Sequence, residues 1–163
     1  MTGNRNRLPA PVDPKDLPPR RGSSYPAEFR DIVGAREKRA LGAATGITHY
    51  GVNLVHLPPG AWSSQRHWHS HEDEFVYVLE GELTLVTDAG EQVLKAGMCA
   101  GFPAGAADGH HLINRSGRMA VYLEIGDRHD ADKVDYPDID MRLEKRDGKF
   151  VFMHKSGEPY PTE

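Results

Sequence analysis

The sequence has only one cysteine, Cys99, and it lacks any long apolar run. A single cysteine excludes an internal disulfide, which fits a reducing cytoplasm. The first residues are too polar for a signal peptide, and no segment approaches the length of a membrane-spanning helix. We therefore expect a cytoplasmic protein that does not enter a membrane. For Cys99 itself, a small core residue and a reactive thiol are equally good interpretations.

The sequence also has little net charge, formally only −4, but its charged residues are unevenly distributed along the chain. Residues 1–40 carry 9 Lys/Arg and 5 Asp/Glu, which gives +4, whereas residues 41–163 carry 11 and 19, which gives −8. The basic segment is short, rich in proline and poor in aromatic residues, which argues against nucleic-acid binding. We expect residues 1–40 to form an extended N-terminal arm along a neighbouring surface, with one or two weak helical turns within 28–40.

Glycine and proline are plentiful, at 17 and 12 of 163 residues, so the chain must contain many turns and short elements. Apolar segments at even spacing predict strands over 48–57, 75–80, 82–88, 91–96, 98–102, 110–114, 118–125 and 149–154. This pattern indicates a single all-β domain, a sandwich or a barrel. We place the barrel core at 41–126. The remainder, 127–163, is expected to hold a surface loop over 127–140, one short strand and a polar tail.

The segment FVYVL at 75–79 is apolar on both faces of a strand. A strand with one face in water would alternate apolar and polar residues. Something must therefore cover its outer face: the N-terminal arm, the second sheet or a second subunit. We expect a homodimer.

The segment WSSQRHWHSHEDEFVYVLEG at 62–81 concentrates three histidines and three acids within the eight positions 67–74. His67 and His69 are two residues apart, which places both imidazoles on one face of a strand and Trp68 on the other. With nine histidines in the chain, one such pair is weak evidence alone. The spacing of the surrounding residues is far more specific.

Two spaced strings carry this specificity. The first runs Gly60-(6)-His67-Trp68-His69-(4)-Glu74-(6)-Gly81, and the second runs Gly97-(5)-Pro103-Ala104-Gly105-(4)-His110-(3)-Asn114. They resemble the two signature motifs of the cupin superfamily over roughly residues 50–125. The resemblance implies a double-stranded β-helix, the cupin jelly-roll barrel. It also implies a metal site with ligands His67, His69, Glu74 and His110.

The second string departs from the usual motif, because four residues rather than two separate its glycine from its histidine. His110 and His111 are therefore both candidates for the fourth ligand. The spacing to Asn114 and the alternation of the strand favour His110.

Three imidazoles and one carboxylate leave open positions on a divalent ion, as a catalytic site requires. Such a set suits one Zn, Fe, Ni, Mn or Co ion per chain. The acids and histidine between the ligands, His71, Glu72 and Asp73, are predicted to form a solvated loop. Asp73 could replace Glu74 as a ligand, but only Glu74 has the six-residue spacing to Gly81.

Four further residues are candidates for the pocket around the metal. Gln65 is separated from His67, and Asn114 from His110, by an even number of positions along a strand. Each therefore shares a strand face with a candidate ligand and is expected to face the substrate. Tyr122 and Glu124 lie on one face of the last long strand and are the candidate catalytic groups.

The resemblance does not fix one reaction. We expect a metal-dependent enzyme acting on a small oxygenated molecule, either sugar-like or a carboxylate or enolate. Isomerase, epimerase or lyase chemistry is preferred, with a dioxygenase as the runner-up. Alternatives are a non-catalytic cupin that binds or senses a small ligand, and a purely structural metal. Some relatives are labelled sugar-phosphate isomerases. A phosphate group would need clustered Arg or Lys residues near the metal, but only Arg66 and Arg115 lie near the motifs. Arg66 is predicted to point away from His67.

Overall fold

The structure is a computed structural model that describes residues 10–146 and 148–161. A 3-10 turn lies at Pro14–Asp16, and the helices are α1 (Ala27–Gly34) and α2 (Leu41–Ala44). The strands are β1 (Glu37–Ala40), β2 (Tyr50–Leu57), β3 (Trp68–His69), β4 (Glu74–Glu80), β5 (Glu82–Thr87), β6 (Gly90–Lys95), β7 (Cys99–Phe102), β8 (His111–Ile113), β9 (Ala120–Asp127), β10 (Lys133–Tyr136), β11 (Met141–Arg146) and β12 (Lys149–Met153). Eight of them match the predicted strands to within two residues at either end.

The strands pair in three antiparallel sheets, ordered β1-β2-β9-β4-β7, β6-β5-β8 and β12-β11-β10-β3. The first two sheets share one apolar core, because alternate residues of their strands point to the same interior. Its buried members are Val55, Leu57, Ala61, Val76, Val78, Leu83, Leu85, Leu94, Leu112, Ala120 and Tyr122. The predicted all-β jelly roll is confirmed.

The register of β4 and β9 determines which groups meet inside the barrel. Val76 lies opposite Glu124, and Val78 lies opposite Tyr122. Val76 and Val78 are both buried in the core. Glu74 has their parity, so it enters the same interior from the first position of β4.

The segment 127–140 differs from the predicted surface loop. It contains β10, whose Val134 and Tyr136 are 5% and 3% exposed. This four-residue strand was not predicted because acidic residues flank it and Pro137 follows it, so its apolar–polar alternation is not evident in the sequence. Two further strands nearby, β3 and β11, were not predicted, since β3 has only two residues and β11 is largely polar.

The N-terminal arm is more regular than expected. Residues 27–34 form one helix, with Gly34 at its end rather than in its interior, and 37–40 form β1. Earlier in the arm, Arg20 forms an antiparallel bridge with Lys38, so the chain extends the edge of the five-stranded sheet. A second apolar cluster joins the arm to the C-terminal strands through Tyr25, Val33, Val134, Tyr136, Met141 and Tyr160.

The outer face of β4 is exposed in the single chain. Phe75, Tyr77 and Leu79 keep 38%, 37% and 42% of their surface accessible. Cys99 lies opposite Tyr77 and is exposed, so the interpretation of this cysteine as a core residue is wrong. The described helices include none that is both long and apolar enough to cross a membrane.

Candidate metal centre

The imidazoles of three histidines converge on one carboxylate oxygen. Oε2 of Glu74 lies 2.8 Å from Nε2 of His110, 3.3 Å from Nε2 of His67 and 3.5 Å from Nε2 of His69. The ligand atoms of His67, His69 and Glu74 all lie within 4.8 Å of one another, a spacing that could hold a metal ion. The four groups that the motifs nominated as ligands are therefore brought together in the structure.

These groups come from separate strands. His67 and His110 form an isolated antiparallel bridge, so their backbones exchange hydrogen bonds of 3.2 and 2.8 Å. His69 belongs to β3, and Glu74 begins β4. The site therefore exists only when the two motifs pair, and neither string forms it alone.

The other ring nitrogens of two histidines are occupied. Nδ1 of His67 lies 2.9 Å from the backbone oxygen of Gln65, and Nδ1 of His69 lies 2.7 Å from Oδ2 of Asp132. An acceptor at Nδ1 places the proton there and leaves the lone pair of Nε2 facing Glu74. This is the tautomer that a metal-binding histidine needs.

The electrostatics of the site favour an ionised carboxylate. Burial by itself would raise the pKa of Glu74, but the hydrogen bond from His110 and the nearby His67 hold it well below the ordinary value. Burial also lowers the pKa of His110, which favours its neutral form. A negative carboxylate beside a neutral imidazole is a pair of ligands that suits divalent transition metals.

His111 lies apart from this cluster. Its Nδ1 is 3.1 Å from the backbone oxygen of Ser64, and its ring packs edge-on against Trp62 at 4.5 Å. His110 instead stacks on Phe102, with ring centroids 3.6 Å apart. The structure therefore places His110, and not His111, beside Glu74.

Asp132 is a site residue that the sequence did not reveal. It is 6% exposed and lies directly behind His69. Burial lowers the pKa of His69, but the hydrogen bond that its Nδ1–H donates to Asp132 and the charge of Glu74 outweigh it and raise the pKa. His69, Glu72 and Asp132 form a second group of potential ligands, so Glu72 is more than the solvated loop acid expected.

The remaining loop residues are at the surface, as predicted. His71 is exposed and stacks on His129 at 5.0 Å. Asp73 is also exposed, and its Oδ1 accepts a 2.7 Å hydrogen bond from the backbone of Ala104. The Asp73 carboxylate is therefore directed to the backbone of Ala104, whereas the Glu74 carboxylate lies among the three histidines.

The side chains of Gln65 and Asn114, the candidate substrate contacts, both donate hydrogen bonds to backbone oxygen atoms. The Gln65 amide donates to the oxygen of Phe29 at 2.8 Å, which fixes α1. The Asn114 amide donates to Leu57 and Arg118, both at 2.7 Å, and Asn114 is fully buried. In this structure both side chains hold neighbouring segments in place.

Glu124 faces the barrel interior. Its Oε1 accepts hydrogen bonds from Lys38 Nζ at 2.7 Å and Asn53 Nδ2 at 3.2 Å. In an antiparallel pair, diagonal neighbours such as Glu124 and Glu74 have Cα atoms about 7–8 Å apart. The sequence did not identify Lys38 and Asn53 as site residues because they lie on strands outside the two motifs.

The fold and this site define a cupin. The cupin domain family model matches residues 53–126, and the chain belongs to the cupin superfamily. A structure of a sugar phosphate isomerase of this superfamily from Silicibacter pomeroyi DSS-3 is 41% identical, covering 93% of this chain and 97% of that one, with a TM-score of 0.89. A search of curated proteins found no match.

Two further solved structures share the fold. One, from Acidithiobacillus ferrooxidans ATCC 23270, is provisionally described as a sugar phosphate isomerase. It is 34% identical, with 78% of this chain and 81% of that chain covered and a TM-score of 0.70. The other is a predicted oxalate decarboxylase from Thermotoga maritima, 21% identical, covering 74% and 100%, with a TM-score of 0.59. The last likeness shows the fold alone.

Proposed function

We propose that the protein is a metal-dependent isomerase that moves a proton between neighbouring carbons of a small, sugar-like substrate. The observation that carries the proposal is the convergence of His67, His69 and His110 on Glu74, within one diagonal step of Glu124. The similarity to proteins described as sugar phosphate isomerases supports this reaction class over a lyase or a dioxygenase. The protein is proposed to act in the cytoplasm as a homodimer.

One divalent transition ion per chain is proposed to occupy the site, held by His67, His69, Glu74 and His110. When bound, such an ion polarises a carbonyl or hydroxyl oxygen of the substrate. Three imidazoles and a carboxylate suit Zn, Fe, Ni, Mn or Co equally well, so the ligand types do not select one ion.

Glu124 is the proposed proton-transfer base. Lys38 and Asn53 both donate to its Oε1, which fixes the carboxylate, and Oε2 is left as the acceptor. Oε2 takes the proton from the hydroxyl-bearing carbon beside the substrate carbonyl and returns it to the former carbonyl carbon, while the proton of that hydroxyl passes to the former carbonyl oxygen. The net reaction is an isomerisation that needs no oxidant or reductant.

Tyr122 is proposed to orient the substrate oxygen. Burial, followed by the charge of Glu124, raises the pKa of Tyr122 well above the ordinary value. Its phenol therefore keeps its proton, and it donates a hydrogen bond instead of acting as a base.

The proposal is tested by hydrogen exchange. The metal-loaded protein is incubated in D2O with a panel of aldose and ketose phosphates and their unphosphorylated sugars, and loss of carbon-bound protons is followed by NMR. We expect exchange with at least one member, and a reduction of about 10²–10⁴-fold in Glu124→Gln. The Glu124→Gln protein should keep its metal content.

Two results would count against this. Equal rates of carbon-bound hydrogen exchange in the wild type and Glu124→Gln would show that Glu124 is not the base. Binding of a panel member without any exchange would instead favour the non-catalytic ligand-binding cupin.

A further inference from the structure

A small pocket opens beside two of the candidate metal ligands. Its volume is about 100 Å³, and His69 and His110 both lie in its wall. Phe102, in the same wall, lies opposite Glu74 in the pairing of β7 with β4, so the two side chains share one face of the sheet. The pocket therefore borders the centre at which the imidazoles and the carboxylate converge.

One side of the pocket is formed by the loop of residues 103–108, and hydrogen bonds hold this loop in place. The backbone N–H of Gly105 donates to the backbone oxygen of His69 at 2.8 Å. At the end of the loop, Oδ1 of Asp108 accepts the backbone N–H of Asp88 at 2.7 Å. The pocket is therefore formed before a ligand arrives, so binding does not have to order this loop.

The wall of the pocket is largely apolar apart from the two imidazoles and one carboxylate. Its larger apolar side chains and one small one belong to Trp68, Phe102, Pro103 and Ala106, and the carboxylate belongs to Asp108. Among the described residues, no lysine or arginine lines the pocket. An ionised carboxylate only accepts hydrogen bonds, so it favours a ligand that carries hydroxyl groups. The apolar wall favours the C–H groups between those hydroxyls.

Arg66 lies close to this loop, but its charge is already matched. Its Nη1 donates to the backbone oxygen of Gly109 at 3.2 Å, and its guanidinium pairs with Asp88 and Asp138. A phosphate group in the pocket would therefore meet the carboxylate of Asp108, and none of the described residues in the wall carries a cation that offsets the repulsion.

We infer that this pocket receives an uncharged, hydroxyl-bearing end of the substrate, and that the protein prefers unphosphorylated sugars to sugar phosphates. The inference rests on the proposed function, because the reacting oxygens of the sugar are then the groups that face the metal ligands. Asp108 accepts hydroxyl groups of the sugar, and the small side chain of Ala106 leaves the pocket open for its carbon chain.

The test compares binding of matched sugars to the metal-loaded protein by isothermal titration: ribose, glucose and fructose, each with its terminal phosphate ester. We expect at least one unphosphorylated sugar to bind at least about tenfold more tightly than its phosphate. Ala106→Leu fills the pocket and should weaken that binding at least about tenfold, while the metal content stays unchanged. The matched control is Ala44→Leu, which makes the same change at an exposed residue of α2 and should bind like the wild type.

A second variant, Asp108→Asn, removes the charge but keeps an oxygen that can accept the N–H of Asp88. It should weaken binding of the unphosphorylated sugar about three- to tenfold and narrow its advantage over the phosphate. Asp130→Asn is the control, since Asp130 is exposed and pairs with Lys145, and it should change neither quantity. A merely structural Asp108 would change the melting temperature without changing the preference between the two sugars.

The inference is overturned if no unphosphorylated sugar binds the wild type, if every phosphate binds as tightly as its parent sugar, or if Ala106→Leu and the wild type bind equally well. Exchange of carbon-bound hydrogen in D2O with the same sugars separates this outcome from failure of the proposed reaction. A sugar whose binding depends on Ala106 but that shows no exchange would contradict the isomerase and support the pocket. Faster exchange with the phosphates would contradict the pocket and support the isomerase.

Discussion

Nδ1 of His69 lies 2.7 Å from Oδ2 of Asp132, and the other oxygen of this carboxylate accepts the backbone N–H of His71 at 2.8 Å. The Asp132 side chain is only 5% exposed. It therefore fixes the orientation of the His69 ring and turns Nε2 towards Glu74. A carboxylate behind a ligating histidine also increases the basicity of the ring.

We predict that Asp132→Asn weakens metal binding about 10–100-fold, the usual effect of losing a partner behind a histidine ligand. The change is nearly isosteric, so the fold should be retained. Affinity is measured by competition with a chromophoric chelator. Asp135→Asn is the control, since Asp135 lies in β10 but pairs with the exposed Arg142. Equal affinities in the two variants would mean that Asp132 does not support the ligand.

A second prediction concerns the loop that carries His110. Arg66 donates two hydrogen bonds of 2.7 Å to Asp138 and one of 3.2 Å to the oxygen of Gly109, and it also pairs with Asp88. Arg66→Gln should lower the free energy of unfolding by about 1–2 kcal/mol. Urea unfolding measures this. Arg142→Gln, at a half-exposed single ion pair, should cost less than about 0.5 kcal/mol.

The pH dependence of this difference follows from Asp138. The hydrogen bond from Arg66 holds the pKa of Asp138 below its ordinary value of 3.8. A lowered carboxyl pKa stabilises the fold above that ordinary value, and the stabilisation is lost as the pH falls through the folded pKa. The gap between the wild type and Arg66→Gln should therefore narrow below pH 3.8. A gap that stays constant there would show that packing, and not the ion pair, is responsible.

The exposed outer face of β4 supports the third prediction. If Phe75, Tyr77 and Leu79 are covered by a second copy, Tyr77→Glu should convert the dimer to a monomer, because a buried unpaired charge is costly. Sedimentation velocity gives the molecular mass. Val93→Glu places the same charge at a 50%-exposed residue of β6 and should leave the dimer intact. A wild-type protein that is monomeric at tens of micromolar, or a dimeric Tyr77→Glu protein, would contradict the proposed interface.

The resemblance of the two strings to the cupin motifs was sufficient to predict the fold and the convergence of the four candidate ligands, and part of the site also follows from local physics. Strand alternation and the spacing within each motif are local properties, so they placed His67 and His69 on one face before any pairing was known. The choice of His110 over His111 used the same alternation.

Asp132 and Lys38 could not be found in this way. Asp132 lies in an acidic run without periodicity, and its contact with His69 depends on the pairing of β3 with β10. Lys38 faces the interior only because β1 pairs with β2 in a register that no local pattern specifies.

The central claim is that His67, His69, Glu74 and His110 bind one transition metal ion per chain. Elemental analysis of the purified wild type, His110→Gln and His111→Gln tests it most directly, since the two substitutions differ by one position. We predict about one equivalent of metal in the wild type and in His111→Gln, and a loss of most of it in His110→Gln. Full metal content in His110→Gln, or none in the wild type after purification without chelators, would contradict the proposed centre.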